Sequence, residues 1–275
     1  MERPFEAFAR FEHDGWERVA TRYDGVWASL TTRFGERMLD AVEVAPGVRL
    51  LDVACGPGHG TVAAVRRGAR AAGLDFSAAM LGLARGRYPE VAFQQGDAAR
   101  LPFADATLDR VVMNFGVLHL PEPDRAFAEA RRVLRPGGRY AFTVWTGPER
   151  NRGMGIVAEA VAAHGRPPEG IPEGPDRLRF ADAGECRRAL AAAGFAAGAV
   201  AFATHELAWT VPSASFLFEA QRDAAVRTAA VLAAQSAEAQ ARIQDAVERE
   251  VRRYAVAQGF AVPMAAHVVT AAVET

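Results

Sequence analysis

The chain has 275 residues, of which 50% are apolar and 24% charged, and its 32 basic and 33 acidic side chains give a formal net charge of −1. Such a composition is typical of a globular protein with a sizeable core, and it excludes a disordered chain, a fibrous repeat and a disulfide-built miniprotein. A near-neutral chain also lacks the broad positive field of non-specific nucleic-acid binders, so we predict no nucleic-acid partner.

The first half of the chain alternates between short apolar runs and amphipathic segments. Aromatic residues at helical spacing over 5–42 predict helices, and a glycine turn follows the first apolar run. The predicted strands are 48–54, 70–76, 91–95, 108–115 and 139–146, and the predicted helices are 61–67, 77–85 with Ser77 as cap, and 122–134, ended by Pro136-Gly137-Gly138. This alternation predicts an α/β fold with a parallel sheet covered on both faces.

The alternation ends after Trp145. The predicted elements are a helix over 152–164, a Pro/Gly-rich loop over 165–175, a helix over 182–193, a strand over 199–210, two surface helices within 213–257 and a final strand over 260–272. Pro263 suggests an edge position or a bulge in the final strand.

The number of cysteines and the length of the apolar runs indicate the cellular environment of the protein. Cys55 and Cys186 are too few for a disulfide framework, and no Cys/His spacing suits zinc, so we predict no metal. The first residues do not resemble a signal peptide, and no run of 18 apolar residues exists to span a bilayer. We therefore expect a cytoplasmic protein without a membrane partner.

The glycine turn and two acidic residues indicate a ligand site at the ends of the predicted strands. Gly56 and Gly58 let a ligand approach the backbone, although glycine turns also occur in plain strand-to-helix loops. Asp75 ends the second strand, where a carboxylate can accept hydrogen bonds from ribose hydroxyls; it could instead cap the next helix. Asp97 after the third strand could accept from an adenine amino group or form a turn. Together they indicate an adenosine-bearing ligand.

A dinucleotide is the main competing ligand. The dinucleotide fingerprint is G-x-G-x-x-G, whereas this turn reads G-x-G-x-G and places Thr61 at the third glycine. The acidic strand ends would accept a cationic ligand but not a pyrophosphate. An NAD-dependent oxidoreductase is therefore the less favoured alternative.

Four motifs in order resemble the class I S-adenosylmethionine-dependent methyltransferases, most closely the small-molecule branch of ubiquinone and menaquinone C-methyltransferases. They are Leu51–Gly58, Gly73–Ser77, Gln95–Ala98 with Leu101–Phe103, and Leu134–Gly138, and the resemblance covers residues 16–146. It implies a doubly wound, seven-stranded, mostly parallel Rossmann-like sheet, with the segment from Phe260 as an antiparallel last strand beside the fifth. It also implies S-adenosyl-L-methionine as cofactor and S-adenosyl-L-homocysteine as product.

The resemblance also implies roles for individual residues. The cofactor-binding set is Tyr23, Asp52, Ala54, Cys55, Gly56, Gly58, Asp75, Phe76, Met80, Asp97, Ala98, Asn114 and Phe115. Within it, Gly56–Gly58 would surround the methionine part of the cofactor, and Tyr23 would close over the methionine end. Asp75 would hold the ribose, and Phe76 would pack on the adenine ring with Met80 nearby. Asn114 and Phe115 would lie near the sulfonium. The role of His59 is left open.

The acceptor region is predicted after the fourth strand. His119 is the candidate general base, needed only if the acceptor is protonated; a loop histidine that contacts the covering helices is the alternative. Trp27 and Trp145 are expected to wall the acceptor pocket, although Trp145 could equally be a core aromatic. The Asn114-Phe115-Gly116 segment lacks the Pro-Pro motif of base N-methylating enzymes, which favours a small-molecule acceptor.

We therefore expect one domain over 1–275 that transfers a methyl group to carbon, nitrogen or oxygen of a small, largely apolar molecule. Its predicted parts are an N-terminal helical lid (1–45), a cofactor-binding core (46–146), lid insertions (147–180 and 213–258) and a final strand (259–275). A cofactor-binding relative without methyl transfer is the alternative. The acceptor, the methylated atom and the oligomeric state are left open.

Overall fold

The computed structural model describes residues 5–274 and contains, within that range, one sheet of seven strands in the order β3-β2-β1-β4-β5-β7-β6. The strands are β1 Arg49–Val53, β2 Arg70–Asp75, β3 Ala92–Gln95, β4 Leu108–Met113, β5 Leu134–Trp145, β6 Ala201–Val211 and β7 Phe260–Ala272. Strands β1 to β5 run parallel, and β7 lies antiparallel between β5 and β6. The predicted fold class and the position of the last strand are confirmed.

Nine α-helices accompany the strands in the described part of the chain. They are α1 Glu6–Ala41, α2 His59–Arg66, α3 Ala78–Arg87, α4 Pro123–Val133, α5 Arg152–His164, α6 Ala183–Ala192, α7 Phe216–Asp223, α8 Arg227–Ala233 and α9 Ala237–Val251. Ser77 caps α3 as predicted, because its Oγ accepts the N–H of Met80 at 3.1 Å.

Alternating side chains of the strands build a core on each face of the sheet. In β4, Val111 and Met113 face a cluster with α4 and α6, whereas Val112 faces a cluster with the end of α1 and with α2. This alternation follows from the two-residue period of a strand. Both faces are therefore apolar, as expected for parallel strands that carry helices on both sides.

A third apolar cluster lies at the carboxyl ends of the central strands. It joins Trp27, Leu30 and Phe34 of α1 to Phe115, Trp145 and the helices α5, α7, α8 and α9. Because loops at this edge carry the ligand site in open α/β sheets, the cluster positions the site described below.

Several predicted elements have different bounds in the structure. Residues 5–42 form one 36-residue helix, not several, and the 213–257 segment forms three helices, not two surface helices. The extra helix arises because Ser236 caps α9 through the N–H of Ala239 and so separates it from α8. Pro136-Gly137-Gly138 ends α4 as predicted, but it lies inside β5, where Gly137 has a φ of +73°.

Pro263 lies in an interior strand, not an edge strand. The pairing of β7 with β5 ends at Ala266 opposite Trp145, so Pro263 pairs only with Ala208 of β6. Because β5 does not pair with β7 at this position, the missing N–H of Pro263 costs no hydrogen bond to β5.

Two other expectations can be compared with the structure. None of the helices in residues 5–274 has the length and apolarity needed to cross a bilayer. No group of three or more His, Cys, Asp or Glu side chains suited to a metal occurs in the same range. The predicted segments 1–45 and 259–275 extend to residues 1–4 and 275, which lie outside the described residues.

Candidate functional site

A cavity of about 1130 Å³ opens at the carboxyl ends of β1, β2, β4 and β5. This volume includes space that is open to solvent at the mouth of the cavity. Of the predicted residues, Tyr23, Trp27, Ala54, Gly56, Asp75, Phe76, Met80, Asn114, Phe115, His119 and Trp145 line it. Asp52, Cys55, Gly58, Asp97 and Ala98 do not line it.

Positive backbone angles shape the end of β1 and the glycine turn. Ala54, Gly56 and Gly58 have φ values of +55°, +52° and +85°. A non-glycine residue in this region carries strain, which is common at ligand sites. Gly58 is required for a second reason, since a Cβ there would lie 2.6 Å from the ring of Phe93. The absence of a side chain at Gly58 therefore allows the close packing of helix and strand at this turn, whereas Gly56 borders the cavity.

Asp75 is the carboxylate that faces the cavity at the end of β2. Its Oδ2 accepts the N–H of Gly56 at 2.8 Å, and its Oδ1 accepts the N–H of Ser77 at 2.9 Å. Burial raises the pKa of Asp75 to about 6, although these two hydrogen bonds act in the opposite direction. Ser77, not Asp75, caps the following helix. Each oxygen retains a lone pair, so the carboxylate can accept further bonds from a ligand.

Asp52 and Cys55 lie beneath the glycine turn, outside the cavity lining. Asp52 Oδ2 accepts the hydroxyl of Thr61 at 2.8 Å, whereas its Oδ1 has no partner in residues 5–274. Burial raises the pKa of Asp52 to about 7, and the charge of Asp75 adds to the increase. The Cys55 thiol is buried, and burial raises its pKa well above the usual value.

Asp97 and Ala98 lie beyond β3 and are not part of the cavity lining. Asp97 is exposed and its Oδ1 accepts the N–H of Ala99 at 2.8 Å, which is the turn-forming alternative for this residue. Ala98 packs into the core on one face of the sheet. Contact of these two residues with an adenine ring stays a prediction.

Asn114 and Phe115 are held at the end of β4 by Thr143 of β5. Thr143 Oγ1 donates to Asn114 Oδ1 and accepts the N–H of Phe115, each at 2.7 Å. The Asn114 amide also donates to the carbonyl of Thr31 in α1 at 3.1 Å. Phe115 has a φ of +56°, and its ring stacks on Trp145 at 3.9 Å between centroids. These contacts fix α1 to the sheet where the cavity narrows.

Several aromatic rings contribute to the remainder of the cavity lining, together with aliphatic and polar side chains. Trp27 packs on Trp209 with centroids 4.9 Å apart, and Trp16 contacts Tyr23 edge-on at 5.2 Å. Burial raises the pKa of Tyr23 to about 12, so its hydroxyl remains protonated. Trp145 both lines the cavity and packs in the core. This part of the cavity suits an apolar or aromatic ligand.

His119 forms a buried polar cluster with Glu12 and Arg227. Its Nδ1 lies 2.9 Å from Glu12 Oε2, and Arg227 Nε donates to Glu12 Oε1 at 2.6 Å. The indole N–H of Trp16 also donates to Glu12 Oε2, at 3.1 Å. Burial acts to raise the pKa of Glu12, but the charges and hydrogen bonds of His119 and Arg227 outweigh it and hold the pKa below its usual value. Glu12 therefore remains ionised and can orient the imidazole.

His59 lies in a different cluster, outside the cavity lining. Its Nε2 is 2.6 Å from Asp24 Oδ1 and its Nδ1 is 3.1 Å from the Tyr88 hydroxyl. Arg87 also pairs with Asp24. The cluster joins α1 to α2 and α3 next to the glycine turn.

The structure adds lining residues that sequence reasoning did not identify. They include Trp16, Met154, Arg177, Gln221 and Arg227 in the cavity, with Glu12 behind His119. Glu12 has a sequence signal, because it occupies the apolar stripe of α1 between Phe8 and Trp16, at i+4 spacing. Arg177 follows an irregular loop, so no periodicity marks it.

The lining beside Asp75 has the chemistry that a cationic adenosine cofactor needs. Asp75 offers free lone pairs at one end, Phe76 and Met80 offer apolar surface beside it, and the Gly56 backbone is open to close approach. A Cβ at Gly56 would meet no atom closer than the sulfur of Met80 at 3.9 Å, so the space at this position is open.

Comparison with known families agrees with this geometry. A family model described as "Methyltransferase domain" matches residues 51–142. A demethylmenaquinone methyltransferase of Renibacterium salmoninarum is 38% identical over 150 residues, which cover 53% of this chain and 61% of that protein. Another demethylmenaquinone methyltransferase, from Parafrankia sp., is 32% identical over 194 residues, which cover 58% of this chain and 73% of that protein. The first alignment thus spans less than two thirds of that relative's length.

Solved structures share the fold. Haemonchus contortus phosphoethanolamine N-methyltransferase 2, in complex with phosphomonomethylethanolamine and S-adenosylhomocysteine, has a TM-score of 0.58 at 17% identity, covering 98% of this chain and 60% of that chain. The [4+2]-cyclase SpnF has a TM-score of 0.54 at 24% identity, covering 88% and 80%. The chain belongs to the class I S-adenosylmethionine-dependent methyltransferase family, in the branch of the quinone-biosynthesis enzymes, and S-adenosylmethionine is its cofactor.

Proposed function

We propose that the protein transfers the methyl group of S-adenosylmethionine to a small, largely apolar acceptor. The observation that carries this proposal is one cavity with two chemically different ends. Asp75, Phe76 and Met80 line the cofactor end, and aromatic rings with His119 line the other. Two ligands in such a cavity are already next to each other, which is the main requirement for in-line displacement.

The bound cofactor supplies a methyl group on a positively charged sulfur, so the transfer needs little activation on the donor side. The protein residues have to hold the acceptor in line and exclude water. We assign this covering role to the segments 1–45, 147–180 and 213–258. Lining residues from all three support it, for example Trp16, Met154 and Gln221.

His119 acts as general base when the acceptor is a hydroxyl or a similarly protonated group. The ionised Glu12 accepts a hydrogen bond from Nδ1–H, which leaves the lone pair on Nε2 for the acceptor proton. Nε2 has no hydrogen-bond partner within residues 5–274 that would compete. Trp16 packs edge-on against the imidazole at 4.8 Å and limits its rotation. The proton leaves the acceptor as the new bond to the methyl carbon forms.

The names of similar proteins and the net charge of the chain also support the proposed class of acceptor. The relatives above are named for demethylmenaquinone, an aromatic acceptor class, and the cavity lining here is rich in tryptophan. A cavity lined by apolar side chains and a net charge of −1 favour a small molecule over a nucleic acid. A reducing, cytoplasmic setting belongs to the proposal, and the two buried free thiols, Cys55 and Cys186, support it.

The first test is binding of the cofactor by calorimetry. Wild-type protein should bind S-adenosylmethionine in the micromolar range, and Asp75→Ala should abolish detectable binding. Asp245→Ala, at an exposed position of α9 outside the cavity, is the matched control and should bind normally. Absence of binding by the wild-type protein would overturn the proposal.

A second candidate function is cofactor binding without methyl transfer. The structural likeness to the [4+2]-cyclase SpnF keeps it open, since that protein shares the fold and is named for a different reaction. Release of S-adenosylhomocysteine in the presence of aromatic hydroxyl acceptors discriminates the two. Tight cofactor binding with no release across such acceptors would favour the second candidate.

A further inference from the structure

Arg177 stands at the acceptor end of the cavity on a segment that is fixed on both sides. Asp176 Oδ1 accepts the N–H of Leu178 at 2.9 Å and forms a local turn. Arg179 pairs with Asp124 of α4 at 2.7 Å and with Glu185 of α6 at 3.3 Å. The backbone at position 177 is therefore anchored to the core while its side chain lines the cavity.

The Arg177 guanidinium has no counterion. Within residues 5–274 it forms neither a hydrogen bond nor an ion pair, although its side chain lines the cavity and keeps accessible surface. Desolvation and the positive charge of Arg227 lower the pKa of Arg177, and the negative charges of Asp176 and Glu12 oppose this change. Arg177 is nevertheless cationic near neutral pH, because an arginine has a pKa above about 12.

Arg227, the second cation at this end, is already held in place. Glu12 accepts its Nε at 2.6 Å, and the carbonyl of Leu118 accepts its Nη2 at 2.8 Å. The guanidinium also lies 4.2 Å from the centroid of the Phe8 ring. Arg227 is thus paired with Glu12, whereas Arg177 has no ion-pair partner within residues 5–274.

We propose that the acceptor carries an oxyanion, a carboxylate or a phosphate, that binds to Arg177 beside Arg227. This inference rests on the proposed function and specifies its substrate class as an aromatic acid. A planar guanidinium offers paired donors that match the two oxygens of a carboxylate or phosphate. The aromatic rings of Trp16, Trp27 and Trp145 supply the apolar surface for the remainder of such a molecule.

The test compares three probes of similar shape: 1-naphthoate, 1-naphthyl phosphate and uncharged 1-naphthol. Each is titrated by calorimetry into protein saturated with S-adenosylhomocysteine. At least one of the two anions should bind wild-type protein about tenfold more tightly than 1-naphthol or better, because a hydrogen bond to a charged group contributes on the order of 1.5–3 kcal/mol. The tighter of the two anions identifies the oxyanion as carboxylate or phosphate.

Two variants make the result specific. Arg177→Gln should remove the preference for the anion, whereas Arg187→Gln, at an exposed position of α6 outside the cavity, should retain it. Retained S-adenosylhomocysteine binding by both variants shows that each is folded. Equal binding of all three probes, binding of none, or a preference that survives Arg177→Gln would overturn the oxyanion proposal alone. Failure of wild-type protein to bind S-adenosylhomocysteine would overturn the proposed function and this inference with it.

Discussion

Asp52 is a carboxylate without access to solvent, and it makes the folding free energy depend on pH. One of its oxygens has no partner within residues 5–274, and burial raises its pKa from 3.8 to about 7. The folded state therefore binds more protons than the unfolded state between these two values. Because stability falls with rising pH wherever the folded state binds more protons, Asp52 destabilises the fold progressively from about pH 4 to pH 7.

Asp52→Asn should remove this dependence. The unfolding free energy of the variant relative to wild type should rise by roughly 2–4 kcal/mol between pH 4 and pH 8, since a shift of one pKa unit corresponds to about 1.4 kcal/mol. Urea unfolding of both proteins without cofactor, at several pH values, measures this difference. Asp245→Asn in α9, exposed, should show no such trend. A difference that does not change with pH would contradict the prediction.

Glu12 acts on the reaction through His119, so we classify it as a positioning residue. Glu12→Gln should lower kcat about 10- to 100-fold, the range found when a hydrogen-bond partner that orients a metal-bound histidine is removed. The KM for S-adenosylmethionine should change little, because Glu12 contacts His119, Arg227 and Trp16 rather than the cofactor end.

A double-variant cycle separates positioning from a structural role. The double variant Glu12→Gln with His119→Gln should lose no more activity than His119→Gln alone. Glu12 acts on the reaction only by orienting His119, so its loss has no further effect once His119 is absent. Glu6→Gln, an exposed residue on the same helix, is the control for a charge lost from α1. Additive losses would show that Glu12 does not work through His119.

At the scale of elements, α1 spans the sheet core and the cavity in one 36-residue helix. Its end packs on β-strands through Met38 and Leu39, while its first half reaches Arg227 and the glycine turn through Glu12 and Asp24. Two glycines in this helix differ in their surroundings. A Cβ at Gly15 would lie 2.3 Å from Val226 Cγ1, whereas a Cβ at Gly25 would meet nothing within 4 Å.

The two glycines predict opposite effects of the same substitution. Gly25→Ala should stabilise the protein by about 0.5–1 kcal/mol, because alanine is the better helix former. Gly15→Ala brings the same gain in helix propensity, but its methyl group overpacks the contact with Val226. Overpacking costs about 1–3 kcal/mol, which exceeds the gain, so this substitution should destabilise the protein. Urea unfolding of the pair tests the prediction. Stabilisation by both substitutions would show that α1 is not packed closely against the start of α8.

At the scale of the whole molecule, the cavity joins α1, the sheet and the later helices, so a bound ligand should stabilise all three together. S-adenosylhomocysteine at 100 times its Kd should add about 2.7 kcal/mol to the free energy of unfolding. For a chain of this size that corresponds to a Tm increase of about 5–10 °C. Thermal unfolding measures it, and NAD at the same concentration should give no increase. An equal increase with NAD would favour the oxidoreductase alternative instead.

Local patterns predicted the elements of the sheet well, because each depends on neighbours in the chain. The β-strand composition of β4, the Ser77 cap and the glycine turn after β1 are all features of residues close in the chain. The prediction was wrong where distant contacts decide. A single long α1 forms because its second half packs on the sheet. Strand β5 extends through Pro136-Gly137-Gly138 because Leu134 pairs with Leu108 of β4 and because Gly137 and Gly138 form backbone hydrogen bonds with Val273.

The candidate site divides in the same way. Gly56, Asp75 and Phe76 line the cavity as predicted, since the carboxyl ends of parallel strands meet at one edge whatever the other contacts are. Asp97 follows β3 as predicted from the chain, and its side chain accepts the N–H of Ala99 in a turn outside the cavity lining. Contacts of one side chain at a strand end follow from three-dimensional packing, and sequence spacing does not define them.

The sequence by itself determined the α/β class, the adenosine-type cofactor end and the family, because these depend on motifs whose residues are close in the chain. Only the tertiary structure decided the acceptor end. His119 meets Glu12 across 107 residues of chain, and Glu12 meets Arg227 across 215. Such pairs arise when separate helices pack around one cavity, and burial there makes the charge of each residue depend on its partner.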